Sequence, residues 1–276
     1  MAMTIDGTDR LCLHTVTTKP WDIETAIDAY ARAGVRGISV WRDAVEGRDL
    51  KKLRRRMGDA GLAGVSYVRG GFFAHVDAAE RQAAIEENRR IIREAAELGL
   101  PLIVLVCGAD PQQSLEESRG QISEALTLLA PEAAQEGVRL GIEPLHPMYA
   151  DTRSAVNTLE QANDIAATVN HPAVQVVIDV YHLWWDPKLY LEIARAGVGN
   201  RLAAFHVCDW KVPTNDFLLD RGLMGEGCIR IPEIRHEVEA AGFNGYIEVE
   251  IFSTRYWEMD QQEFLDMIVS AYLESV

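Results

Sequence analysis

The chain has 276 residues, 48% of them hydrophobic, with 27 basic and 42 acidic side chains and a formal net charge of −15. That suffices for a large core, while the negative field repels polyanions, setting nucleic acid aside and favouring a neutral small molecule as partner. No stretch approaches the ~20 apolar residues of a membrane span, so no membrane association is expected.

The N-terminal MAMTIDGTDR lacks the apolar run of a signal peptide. The cysteines Cys12, Cys107, Cys208 and Cys228 are scattered, with no C-x-x-C pair. They read as reduced, mostly buried thiols of a cytoplasmic protein.

In chain order, aliphatic runs place the first strand near Leu11 and the second near Gly37, after Gly34. The basic run Lys51-Lys52-Leu53-Arg54-Arg55-Arg56 falls in a helix as a solvated face. Gly61 precedes the third strand, near Leu62. Ala78 to Leu98 is the clearest helix: Asp77 and Glu80 suit an N-terminal capping box, and Ile85, Ile91, Ile92 and Leu98 supply apolar contacts. Gly99 precedes LPLIVLV, Gly137 precedes VRLGIEP and Asn170 precedes HPAVQVVID, placing strands near Leu102, Arg139 and Val174. A seventh strand starts near Leu202 and an eighth near Gly245, after Gly242; Asp260 and Glu263 open the last helix.

Gly, or sometimes Asn, just after a helix relieves left-handed strain, so its recurrence marks one strand and one helix per unit. LIVLV and VQVVI are apolar on both faces, as parallel strands covered by helices must be. Eight alternating units predict an α/β chain folded as a single (β/α)8 TIM barrel over residues 1–276. An open doubly wound sheet would show a glycine-rich phosphate loop, and neither G-x-G-x-x-G nor G-x-x-x-x-G-K occurs.

Catalytic groups of such barrels sit at the C-terminal ends of strands. Strand five ends at Glu143, strand six at Asp179 and strand seven at His206, while strand eight carries Glu248 and Glu250. Alternation turns Ile247, Val249 and Ile251 toward the helices and both glutamates inward, Glu250 nearer the mouth. Singly, Glu143 would be a cap or an ion-pair partner and His206 a core histidine. Four consecutive strand ends bring three carboxylates and an imidazole together, at a prohibitive cost unless a cation compensates. Mixed oxygen and nitrogen ligation predicts one divalent ion, with Mn2+ expected ahead of Mg2+, Co2+ or Zn2+.

The motifs GIEPLHP, VVIDVYHLWWDP, AAFHVCDW, GEG at 225–227 and YIEVEIFS, in this order at strand ends, resemble the xylose-isomerase-like sugar isomerase and epimerase superfamily. The likeness spans nearly the whole chain and is strongest from Gly141. It implies a metal-dependent TIM barrel with ligands Glu143, Asp179, His206 and Glu250; the Ile251-Phe252 pair matches the family pattern after the last ligand and favours Glu250 over Glu248. It also implies that His182 binds substrate and that Glu143 and Glu250 exchange a proton with the carbon beside a ketone, through an enediolate. The family's ketose 3-epimerases keep a glutamate where Tyr149 stands and an arginine where Val212 stands, so the substrate grip differs. Lys211 and Arg221 are nearby cationic substitutes.

The expected activity is sugar isomerisation or epimerisation on a ketose or keto-sugar. His146, between Pro144 and Pro147, is a candidate general base, or else a partner for its own loop backbone. As a base it favours a lyase using the same enolate. Such a lyase resembles the large subunit of C-glycoside deglycosidases acting on 3-oxo-glucosides with a small second subunit, or an inosose-type dehydratase. A homodimer is common among relatives.

Aromatic residues Trp41, Tyr67, Phe72, Phe73, Tyr181, Trp184, Trp185 and Trp210 gather at strand ends, with Trp184 and Trp210 candidate sugar contacts. His14 and His75 lie near strand ends without an assigned role. Lys211 to Arg230 is long enough for a lid, with Arg221 and Gly225-Glu226-Gly227 closing over substrate. A related abasic-site nuclease would need further histidines where Cys107 and Gly108 end strand four, and His206 lacks a downstream D-x-H pair. A noncatalytic binding barrel is the remaining alternative.

Overall fold

In the computed structural model, which describes residues 5–276, left-handed residues close helices where the glycine pattern places them. Gly99 ends the helix Ala78–Leu98 at φ 75°, and Asn170 ends Leu159–Val169 at φ 48°. The chain then enters a strand each time. The strands are β1 (Leu11–His14), β2 (Gly37–Trp41), β3 (Ala63–Gly71), β4 (Leu102–Val106), β5 (Arg139–Ile142), β6 (Val174–Asp179), β7 (Leu202–Val207) and β8 (Ile247–Val249). All pair in parallel in sequence order, and β8 returns to β1 through Leu11↔Ile247, Cys12↔Glu248 and Leu13↔Val249. The result is a closed (β/α)8 TIM barrel.

The outer helices bury one stripe each. In α1 (Ile23–Arg32) the residues Ile23, Ala26, Ile27 and Tyr30 face the strands, and Asp22 caps the first turn through the amide of Thr25. In α2 (Leu50–Asp59) only Leu53 and Met57 are buried. Its basic run is mostly solvent-facing, and Arg56 pairs with Asp28 of α1. Asp77 caps α3 (Ala78–Leu98) through the amides of Ala79 and Glu80, but no return bond from Glu80 is present among the described residues. The reciprocal box instead opens α4 (Leu115–Gln135), between Ser114 and Glu117. Asp260 likewise caps the C-terminal helix Gln261–Ser275 without a return bond from Glu263.

Two apolar layers result. Ile247, Val249 and Ile251 join the large core between strands and helices. Val68, Leu102, Val104, Val177 and Ala204 pack as a separate plug inside the barrel. Each fully buried aliphatic side chain contributes roughly 1.5–3 kcal/mol over an exposed one. Tyr67 and Phe73 belong to the outer core rather than the mouth; the Tyr67 hydroxyl donates to Glu94 of α3 at 2.9 Å. Cys12, Cys107 and Cys208 are buried free thiols, whereas Cys228 is exposed. Among the described residues no helix is long and apolar enough to cross a membrane.

Candidate metal centre and its mouth

Sheet register builds the centre. Asp179 pairs with His206, and His206 pairs with Glu248, so the ends of β6, β7 and β8 lie side by side. Glu143 and Glu250 each follow their strand's last paired residue. Their amides donate to Leu105 and Val207 carbonyls at 3.2 Å, holding both in line with the ladder. One ligand atom each from Glu143, Asp179, His206 and Glu250 consequently lies within 4.8 Å of the others, all four residues buried.

The His206 Nδ1 sits 3.1 Å from Glu143 Oε1. Burial pulls its pKa down, but Glu248, Glu143 and Glu250 outweigh this and push it up to about 10. Burial, aided by Glu143 and Glu250 and opposed by Arg221, pushes Asp179 up to about 7. Glu250 goes the other way: despite burial, His14 and Arg221 hold its carboxyl below the ordinary range. The buried Asp179 Oδ2 has no hydrogen-bond partner among the described residues.

Beneath these groups lies a fourth carboxylate, Glu248, whose Oε2 accepts from Ser39 at 2.6 Å and Ser66 at 3.0 Å and lies 3.1 Å from His14 Nε2. Glu248 thus faces inward as alternation requires, one layer below Glu250. His14, given no role by sequence, bridges the layers: its Nδ1 is 3.1 Å from Glu250 and 3.2 Å from the Trp41 indole nitrogen. That nitrogen donates to Glu250 when protonated or accepts from Trp41 when not. His14, His206 and Glu248 form a second possible ligand group sharing His206. Serines at inward positions of β2 and β3, opposite a buried glutamate, were the available sequence signal.

Arg221 is no solvent-side lid residue. It is buried, 2.9 Å from Glu250 and 3.7 Å from Asp179, with Tyr181 and Phe252 rings on its guanidinium at 4.4 and 4.8 Å. Its amide donates to Phe252 O, and Asp209 and Gly222 exchange backbone bonds beside it. The Gly225-Glu226-Gly227 segment is also fastened down. The buried Asp209 carboxylate accepts from the amides of Trp210, Gly225, Gly227 and Ile229 at 2.8–3.0 Å. A Cβ at Gly227 would meet Trp210 O at 2.1 Å, so only glycine fits that wrap. Lys211 pairs with Asp220, which commits its charge to the loop rather than to the site. The loop tip is held where Tyr149 and Tyr181 hydroxyls both donate to Phe217 O, at 3.1 and 2.8 Å.

His182 is buried between Asp179 (3.8 Å) and Arg221 (3.4 Å), and burial, with Arg221, drives its pKa well down. His146 Nδ1 accepts from Met148 N at 3.2 Å, and its ring lies against Trp185 and Trp210. With Nδ1 engaged as acceptor, a neutral His146 carries its proton on Nε2. In that tautomer Nε2 is a donor. Trp210 stacks on Tyr181 at 4.8 Å and neighbours Trp184 at 5.7 Å. His75 bonds the Phe72 carbonyl and stays outside the centre.

A family model described as xylose isomerase-like TIM barrel matches residues 27–269. The chain belongs to that family. This xylose isomerase-like barrel is similar to a solved Sinorhizobium meliloti 1021 protein, 43% identical, with a TM-score of 0.93, covering 96% of this chain and 98% of that one. It is 28% identical over 200 residues to an inosose isomerase of Bacillus licheniformis, covering 70% of this chain and 68% of that protein. It shares its fold with a zinc-bound IOLI protein: TM-score 0.84, 22% identity, coverage 96% and 97%.

Proposed function

We propose that this xylose isomerase-like barrel is a divalent-metal-dependent isomerase or epimerase that moves a proton on the carbon beside the carbonyl of a keto-sugar. The observation that carries this reading is the convergence of four buried donor atoms within 4.8 Å. The donor set suits one divalent ion, because Asp179 Oδ2 makes no hydrogen bond among the described residues and meets Arg221 only at 3.7 Å, leaving a buried oxygen donor free beside Glu143, His206 and Glu250. Glu143, Asp179, His206 and Glu250 would hold it. When bound, such an ion supplies positive charge that steadies negative charge on substrate oxygens. The name of the Bacillus licheniformis relative and the zinc on the IOLI protein support the same reading; Mn2+ remains our first choice and Zn2+ the nearest rival.

The chain's own residues then do the proton work. Glu143 and Glu250 come from strands three places apart around the ring, so they approach a bound substrate from different sides. One carboxylate takes the proton from one face while the other, entering protonated, gives its own proton to the opposite face, which inverts the carbon and leaves the pair's protonation exchanged; delivery to the neighbouring carbon gives isomerisation. Arg221 and His182 orient substrate hydroxyls, and Trp210 and Trp184 offer ring faces for stacking.

Metal content of the purified protein tests this. We expect about one divalent ion per chain, retained on dialysis and lost in Glu250→Gln, with wild type incorporating deuterium from heavy water into a keto-sugar. Protein that takes up no metal from added Mn2+ would sink the reading.

The His146 donor favours a second reading, elimination of a hydroxyl or aglycone from the same enolate, because a departing oxygen needs a proton. His146→Ala is expected to slow such an elimination roughly 10²–10⁴-fold while slowing a two-glutamate epimerisation only a few-fold. Equal, small effects on both reactions would leave His146 as a loop anchor alone.

A further inference from the structure

Arg69 and Arg153 stand at the barrel mouth without counter-ions. Arg69 occupies a register shift of β3 against β4, between Val68 and Gly70. A bulge of this kind re-aims a side chain out of the regular alternation. The Arg69 guanidinium faces the rings of Trp41 and Phe72 at 5.9 and 5.0 Å, and these three residues line one cavity of about 710 Å³. Arg153 follows the turn Pro147–Tyr149 and is clamped by backbone bonds, its carbonyl accepting from Gly108 and its amide donating to Tyr149 O, both at 2.9 Å. Its guanidinium lies 5.4 Å from the Tyr149 ring, and that ring lies 5.9 Å from His182.

Neither guanidinium makes a hydrogen bond or an ion pair among the described residues. Counter-ions are not scarce, with 42 acidic residues to 27 basic ones. The same cavity wall shows the contrast: Arg42 is neutralised by Glu87 and Glu94, and Arg90 by Glu87. Burial and repulsion from Arg153 lower the pKa of Arg69, and the fields of Asp43, Glu143 and Glu250 only partly offset this. Gly108 joins the two segments: its amide donates to Arg153 O, and a Cβ on it would meet Phe72 Cα at 2.8 Å. Half-buried like charges on such neighbouring segments are stabilised by an anion between them.

We propose that Arg69 and Arg153 form an anion subsite, and that the substrate carries a carboxylate or phosphate group in addition to the carbonyl handled by Glu143 and Glu250. The inference rests on the function proposed above and reverses, locally, the preference for neutral ligands implied by the net charge.

The test is calorimetric titration of the full chain with sorbitol, gluconate and sorbitol 6-phosphate, three ligands sharing one carbon skeleton. It is run on Mn2+-equilibrated and on chelator-treated protein, with metal content measured on each sample. We expect gluconate or sorbitol 6-phosphate to bind at least tenfold tighter than sorbitol, the preferred one naming the anion. In Arg69→Gln and Arg153→Gln that ligand should bind about tenfold to hundredfold more weakly, with metal content unchanged, and Arg69→Lys should restore part of the loss. Equal affinity for all three ligands in wild type overturns the subsite, whatever the variants do. Anion preference surviving in both Gln variants overturns it too. Failure to bind metal alongside intact anion preference would sink the proposed function and leave the subsite standing.

Discussion

At the scale of single residues, the centre depends on who shares a proton with whom. Glu143 meets the His206 imidazole at 3.1 Å, while Glu250 is tied to Arg221 and His14. Replacing Glu143 by Gln keeps its shape and removes its basicity. We predict a fall in turnover of roughly 10²–10⁴-fold with an unchanged circular dichroism spectrum, and retained turnover would take Glu143 out of the proton path. Much of this centre was legible from sequence, because a carboxylate or histidine ending an apolar run has few inexpensive explanations. His14 was harder: a lone histidine is usually a satisfied core residue, and only the closure of β8 onto β1 brings it to Glu248. Arg69 owes its aim to a bulge, which no hydrophobic pattern announces. Arg221 was read as a lid cation because its burial depends on where a long loop folds.

At the scale of elements, that loop turns on Asp209. One buried carboxylate gathers four amides, three of them 16–20 residues downstream. Losing an acceptor costs about 1–3 kcal/mol for each amide left buried and unpaired, though some amides will find water. Asp209→Ala should therefore release the 211–230 segment, seen as faster proteolytic cleavage confined to it. Cleavage no faster than in wild type would show that the Lys211–Asp220 pair and the Arg221 contacts suffice. The strands and helices themselves were readable because helices such as Ala78–Leu98 and Leu159–Val169 announce their ends with a left-handed residue, and the capping aspartates Asp77 and Asp260 sit where their helices begin. Capping boxes were less so: Asp77 and Glu80 have the right spacing, yet the return bond forms at Ser114 and Glu117. Spacing permits that bond without compelling the glutamate's rotamer.

At the scale of the whole molecule, the four candidate ligand residues come from the ends of four strands, β5 to β8, so any ion they hold would tie together half of the ring. A ligand bound only by the folded chain adds stability that grows with its concentration, about 2.7 kcal/mol at a hundredfold excess over Kd. Chelator treatment should lower the melting temperature, and graded Mn2+ or Zn2+ should restore it, saturating near one equivalent. A melting temperature indifferent to both would argue against a structural share for the ion.

The Phe217 carbonyl, held by the hydroxyls of Tyr149 and Tyr181, has a consequence for timing. Two neutral hydrogen bonds at about 1 kcal/mol each amount to a latch that is shut roughly thirty times as often as it is open. If only the loop tip at Phe217 must lift, with the rest of the segment held by Asp209, entry from that side is slowed by about that factor. Removing both hydroxyls, in Tyr149→Phe combined with Tyr181→Phe, should therefore raise the rate of ligand association measured by stopped flow, and an unchanged rate would show that the loop tip does not gate entry.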